Sequence, residues 1–292
     1  DERNFRSAYY EKVGCRSVEE KKSLNILLKD KPLNRIKLKQ FCLSFTVPTA
    51  QRSLLWNLLL GVLPVYLESR EYVMLQRKAV YDDAVHALKV MRYVDARTSK
   101  SQIFYACWLL EQKKLHAEIN TPNESFLDIA EMLLQVFEND IEIYEIYWIT
   151  KGFYDYALEI KNDIPKLKEL SFVLLKKKDD LLYTHFAEHK ILEKLPLEKW
   201  YASCFAGVLS EAALVRIWDK ICGGSRKIVV FLFLALLKTL RLPLLRCTGM
   251  EQIENLIKEK KEEQDDLIVN KSIEFWQNNK NHTEFTIHRK DN

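Results

Sequence analysis

The run Ile228–Leu237, IVVFLFLALL, is apolar at every position, and the stretch before it, residues 200–224, reads WYASCFAGVLSEAALVRIWDKICGG. A run of about ten apolar residues falls short of the ~20 that a helix needs to span a bilayer, so it predicts a helix buried on all sides. Such a helix needs neighbours with one apolar face, and residues 200–224 supply two. Ala213, Leu214, Ile217, Trp218 and Ile221 recur at the spacing of a single helical face, with Ser210 ahead of them as an N-cap and Gly223-Gly224 closing the helix. Asp219 follows Trp218 and points off that stripe, free to accept hydrogen bonds near the helix end.

The rest of the chain repeats the theme. Glycine and proline number seven each among 292 residues, 48% of the chain is apolar, and no run alternates over many residues. An all-α protein follows, with enough apolar surface to bury a core. The patterns predict short helices around Tyr9, Tyr10 and Val13 and around Leu24–Leu28. They continue with a helix over 33–45, one over 50–63 with Thr49 as its cap, and a long one from about Tyr66 to Val94. Ile103–Leu110 is strongly apolar without a helix being assigned over 95–124, and helix returns at 126–137, followed by an aromatic-rich one over 139–160 and another that Pro165 opens. Later ones fall at 181–192, 250–260 and 265–277. With no repeat and no long linker, one helical domain over 1–280 is expected, followed by a polar, disordered tail over 281–292.

Charge and cysteine narrow the function classes. The 45 basic and 41 acidic residues are interspersed, and the basic runs Lys176–Lys178 and Lys258–Lys261 are each followed by acids. That reads as solvated helix ends, and nucleic-acid binding is not expected. The six cysteines never form Cys-x-x-Cys. Buried free thiols in a reducing, cytoplasmic compartment fit them better than a disulfide scaffold or a zinc site. Neither a signal peptide nor a transmembrane segment is expected.

Candidate chemistry is sparse. His185, Glu188 and His189 match H-x-x-E-H, which on a helix either grips a zinc ion or forms a polar face. The phosphate-loop motif G-x-x-x-x-G-K-[ST] and the nucleophile motif G-x-S-x-G are both absent from the sequence. The expectation is no metal and no cofactor.

Two blocks point to a family. The first runs Arg52-Ser53-Leu54-Leu55-Trp56 and on to Gly61; the second runs Trp200…Phe205, then Arg216-Ile217-Trp218-Asp219 and Gly223-Gly224, followed by the apolar run. Together they resemble the signature of TBC domains, the helical fold of Rab GTPase-activating proteins, over about residues 35–280. The resemblance makes Arg52, Trp56, Gly61, Trp200, Phe205, Trp218 and Asp219 fold-signature residues. It also implies where catalysis would sit. Active members of the family present an arginine in I-x-x-D-x-x-R and a glutamine in Y-x-Q to the GTPase. Here the first place reads Met91-Arg92-Tyr93-Val94-Asp95-Ala96-Arg97, with the aspartate one residue late, and the second reads Pro122-Asn123-Glu124. Glu124 stands where the glutamine belongs, and a carboxylate there repels a γ-phosphate. Loss of both fingers removes most of the electrostatic stabilisation of the transition state. The resemblance therefore implies a degenerate activator with no catalytic residue, Arg97 being a weak candidate.

Within the family the chain is similar to a branch that serves the tuberous sclerosis complex. The similarity rests on Asn4–Gly14, Glu19–Leu24, His86–Val90, Tyr147–Thr150 and Cys204–Gly207. It implies binding to the C-terminal coiled coil of hamartin and, through it, to tuberin, with restraint of Rheb and TOR signalling. Reach to endomembrane surfaces would come through those partners. A small GTPase is the other partner the family implies, and an atypical Rab activator is the alternative reading. Tyr81, Val85, Leu88 and Arg92, at i, i+4, i+7 and i+11, form a stripe that either docks a helical partner or faces the domain's own core.

Overall fold

The structure is a computed structural model that describes residues 18–287, with side chains over 22–279. The expected patch at Tyr9, Tyr10 and Val13, the run Asn4–Gly14 and Cys15 lie outside the described residues. All regular structure within them is helical, as the sequence predicts. In chain order the helices are α1 (Val18–Leu27), α2 (Arg35–Ser44), α3 (Thr49–Leu59), α4 (Arg70–Val90), α5 (Lys100–Glu111), α6 (Leu115–Glu118), α7 (Glu124–Phe137) and α8 (Ile143–Lys178). They continue with α9 (Asp180–Glu188), α10 (Leu197–Ala202), α11 (Glu211–Cys222), α12 (Ile228–Thr239), α13 (Arg241–Leu244), α14 (Met250–Lys258) and α15 (Glu262–Ile287).

The chain divides into two compact units, 1–156 with 218–224 and 157–217 with 225–292, where the sequence suggests one domain. In the first, Trp56, Phe153 and Trp218 stack. Phe153 and Trp218 centroids lie 4.1 Å apart, and Phe137 meets Trp56 edge-on at 5.5 Å. In the second, α12 packs chiefly on α15. Every residue from Ile228 to Leu237 is buried, as an all-apolar run requires.

Three local expectations are corrected. Thr49 is the first helical residue of α3, and the cap is Pro48, at φ −62° and ψ 138°. Pro165 does not open a helix, because α8 runs 36 residues straight through it. Proline there removes a hydrogen bond to the carbonyl of Lys161. Both residues are exposed, so water can take that bond's place. Finally, α15 reaches Ile287, so residues 281–287 are helical where a tail was expected. Once a helix is anchored, as α15 is by buried Ile268, Val269 and Trp276, adding polar residues costs little.

Helix ends here use a device that needs no glycine. At the end of α4, Tyr93 N donates to Leu88 O (2.9 Å) and Arg92 N to Lys89 O (3.0 Å), while Arg92 itself sits at φ 61°. Those two bonds define a Schellman motif with arginine at the left-handed position. The same pair of bonds closes α5 at Lys113, α9 at Lys190 and α10 at Cys204.

Candidate functional site

The two signature blocks meet inside the first unit, far apart in sequence. Arg52 Nε and Nη2 donate to Asp219 Oδ1 and Oδ2 at 3.1 and 3.2 Å, and Trp56 Nε1 donates to Oδ1 at 2.8 Å. Arg52 Nη2 also reaches the Val47 carbonyl at 3.0 Å. Asp219 and Arg52 are 1% and 5% exposed, so this is an ion pair out of water, held by hydrogen bonds that satisfy both partners. Asp219 is off the apolar stripe, as its place in the sequence suggests, but buried rather than solvated. Lys220, also buried, extends its ammonium to the carbonyls of Cys42 (2.7 Å) and Phe45 (2.6 Å) at the C-terminal end of α2. Cations are favoured there by the helix dipole. Burial, and then the Asp219 charge, push the neighbouring Cys42 thiol up to about 12, so it is inert. Gly61, at φ 74°, ends α3 in a conformation that suits glycine.

The W-x4-F spacing of the second block has its own explanation in the second unit. Phe205 N donates to Trp200 O at 2.7 Å and Cys204 N to Tyr201 O at 3.1 Å, and the Trp200 and Phe205 rings lie 5.8 Å apart. These are the two backbone bonds and the hydrophobic contact of a Schellman cap. Tryptophan and phenylalanine five apart therefore terminate α10 and carry no chemistry.

The two stretches that the resemblance marks for the fingers lie in the first unit. After α4, Asp95 organises the loop. Its Oδ1 accepts from Arg97 N (2.8 Å) and Thr98 N (3.1 Å), and its own amide donates to Thr98 Oγ1 (2.9 Å). The Arg97 amide, then the Thr98 hydroxyl, hold the Asp95 carboxyl below its usual range. Ser99 and Gln102 then form a reciprocal capping box at the start of α5. Arg97 is exposed, fixed through its backbone amide. The Tyr93 hydroxyl contacts His116 Nδ1, which ties this loop to α6.

The stretch that the resemblance marks for the glutamine is held from below by Asn123 and Tyr154. Asn123 caps α7, its Oδ1 accepting from Phe126 N at 3.3 Å. Its Nδ2 donates to the Tyr154 hydroxyl at 2.8 Å. Tyr154 belongs to a buried box with Tyr105, Trp108 and Phe126, whose ring centroids are 5.0–6.1 Å apart. The clue in sequence is an Asn three residues before an apolar helical run. Glu124 is thereby the first residue of α7, exposed, with a carboxylate at the helix's positive end.

The stripe proposed for docking does not stay together. Tyr81 packs against Phe104 and Tyr147 at 6.1 and 5.2 Å, and Leu88 is fully buried. Both belong to the unit's core. Val85 is half-buried, and Arg92 lies beyond the helix at its left-handed cap, so the i+11 spacing no longer places it on the stripe. The opposite face of α4 is the one left open. Tyr72, Leu75 and Val90 are 67%, 62% and 68% exposed, with Ala79 and His86 also exposed between them. At 3.6 residues per turn these five fall within about 60° of arc, and Tyr72 and Val90 are five turns, roughly 27 Å, apart.

The H-x-x-E-H residues sit on and just after α9. His185 Nε2 meets the Cys247 carbonyl at 2.8 Å, and His189 Nδ1 meets the carbonyl of His185 at 2.9 Å. Among the described residues no three His, Cys, Asp or Glu side chains converge as a metal site. No described helix is long and apolar enough to cross a membrane.

Known proteins resemble the chain over most of its length. The Rab-GTPase-TBC domain family matches residues 124–245. TBC1 domain family member 7 of Homo sapiens is 39% identical over 280 residues, covering 94% of each chain. The Danio rerio protein of the same name is 36% identical over 281 residues, covering 94% of this chain and 95% of that one. Among solved structures, the Ypt/Rab-GAP domain of Gyp1p aligns with a TM-score of 0.64 at 14% identity, over 89% of this chain and 98% of that one. A Chlamydomonas flagellar RabGAP TBC domain aligns at 0.57 and 18% identity, over 85% and 87%. At those identities the two structures establish the fold alone.

Proposed function

The chain belongs to the TBC domain family, and from that premise we propose that it is a non-catalytic TBC subunit that docks on the C-terminal coiled coil of hamartin. Through hamartin it joins tuberin and supports restraint of Rheb and TOR signalling. The observation that carries this reading is the open face of α4. Tyr72, Leu75 and Ala79 are spaced by three and four residues, the spacing at which a coiled-coil helix offers its own apolar positions. Asp82, Asp83 and Gln76 border them as a polar rim. Glu124 supports the non-catalytic half of the proposal, since a carboxylate can neither donate to an attacking water's partner oxygens nor sit comfortably beside a γ-phosphate.

The test is binding of a purified hamartin coiled-coil peptide to the full chain, measured by calorimetry. Leu75→Asp with Val90→Asp weakens binding at least a hundredfold while circular dichroism stays helical, because both positions are exposed in the free chain. Undiminished binding by that variant would move the docking face elsewhere. Substitutions at Tyr81 and Leu88 are unsuited to the purpose, because they perturb the core. A second reading, a Rab activator with atypical fingers, draws on the exposure of Arg97 on its Asp95-ordered loop.

A further inference from the structure

The second unit contains a cleft of about 380 Å³ that the proposed function does not use. Its floor is apolar: Leu175 and Leu182, with Leu234 and Leu237 from the buried run. Its rim is cationic on balance, carrying Lys178 at the end of α8, Lys238 at the end of α12 and Arg241 against the single carboxylate of Asp179, whose charge is also felt by Lys238. Such a volume lies within the usual range of small-ligand sites, where apolar walls are joined by a few placed polar groups.

The cations divide into two sets. Arg241 is committed to Asp179, with Nε to Oδ2 at 2.5 Å and Nη2 to Oδ1 at 3.2 Å, a two-pronged pair. Lys178 and Lys238 are not so committed. Their ammonium groups lie 4.5 and 5.0 Å from the centroid of one ring, Phe275 on α15. Among the described residues neither has a carboxylate within ion-pair distance. Two like charges over one ring repel, and the attraction of each for the ring works against that repulsion. Desolvation, then the charges of Lys238 and Lys177, lower the pKa of Lys178. The lysine run ending at Lys178 is also placed by the negative end of α8, but that accounts for one ammonium and not for its partner on another helix.

We propose that this cleft binds an amphipathic anion, its acidic head held by Lys178 and Lys238 and its apolar body lying on Leu175, Leu234 and Leu237. The head neutralises the lysine pair while the body covers the leucines. A free single-chain acid and an anionic lipid at a bilayer surface share that chemistry.

Decanoate below its micellar concentration is titrated into the full chain by calorimetry, beside decan-1-ol as the uncharged counterpart. Decanoate binds at least tenfold more tightly than the alcohol, and Lys178→Gln/Lys238→Gln abolishes that difference. Methyl NMR of the wild-type chain with decanoate shows shifts at Leu175, Leu234 and Leu237, a reading independent of how the variant behaves. Flotation on phosphatidylcholine vesicles with and without phosphatidylserine separates the sources. Serine-dependent flotation lost in the double variant assigns the site to a lipid surface, and decanoate binding without flotation assigns it to a free acid. No binding in either arm, equal binding by wild type and double variant, or methyl shifts confined to other leucines would overturn the proposal.

Discussion

Replacing Asp219 with alanine tests whether the buried pair holds the signature blocks together. The carboxylate accepts three hydrogen bonds, two from Arg52 and one from Trp56. Alanine leaves the guanidinium of buried Arg52 with only the Val47 carbonyl to bond. Removing one member of a buried pair costs about 3–5 kcal/mol. Orphaning the indole N–H adds about 1–3 kcal/mol where the two effects do not overlap. Asp219→Asn restores one acceptor but aims an amide at Arg52's donors, so it should cost nearly as much. Arg52→Met/Asp219→Leu removes both charges and keeps volume, and the expected loss falls to about 1–3 kcal/mol, chiefly the Trp56 N–H. The assay is urea unfolding followed by tryptophan fluorescence, because Trp56 and Trp218 stack inside this cluster. Circular dichroism is recorded alongside, since a chain of two compact units need not unfold in one step. The Arg52→Ala, Asp219→Ala and double-alanine cycle should show a coupling of about 2 kcal/mol or more. A loss below ~1 kcal/mol for Asp219→Ala, the value of a solvated surface pair, would refute the argument. Strict additivity in the cycle would do the same.

Two further outcomes are expected. Gly152→Ala, which in an ordinary helix interior gains about 1 kcal/mol, should instead destabilise by about 1–3 kcal/mol. The new Cβ would lie 2.9 Å from Leu60 Cβ and 3.1 Å from the Leu60 carbonyl, and a neutral or raised melting temperature would contradict that packing. In single-turnover GTP hydrolysis across a Rab panel, the chain should fall short of the roughly three to five orders of magnitude that an arginine finger supplies. Glu124→Gln alone should not restore it, whereas wild-type acceleration abolished by Arg97→Ala would favour the activator reading.

How far the sequence reaches depends on whether a feature is local. The helix at 228–237 is legible because ten apolar residues admit no other environment, and it is buried throughout. The end of α4 is not legible, because the residue that turns the chain is arginine at φ 61° and the usual glycine mark is missing. That one misplacement put Arg92 on a stripe to which it does not belong. Periodicity also cannot say which of two half-apolar faces turns inward. On α4, Tyr81 and Leu88 won the core, and Tyr72, Leu75 and Val90 were left outside. The Arg52–Asp219 pair spans 167 residues and leaves no local pattern. Family resemblance named both residues without saying that they touch. Asn123 is the converse case, since its capping position was readable, yet its bond to Tyr154 depends on the fold.

The buried signature and the exposed residues Arg97 and Glu124 are constrained in different ways. The signature residues satisfy one another within the chain: Asp219 by Arg52 and Trp56, and Trp200 by Phe205. Changing any of them exposes an unpaired charge or opens a cavity, so folding itself constrains their identity. The positions that the resemblance assigns to the fingers stand in a different setting. Arg97 and Glu124 are exposed, and the loop geometry that presents Arg97 is set by Asp95, Thr98 and backbone amides rather than by the arginine's own side chain. At Glu124 the pressure runs the other way, since an acid at the first position of a helix stabilises it by ~0.3–1 kcal/mol. Glutamine carries no charge and would forgo that interaction. Stability therefore constrains the signature residues, and at position 124 it favours an acid over glutamine.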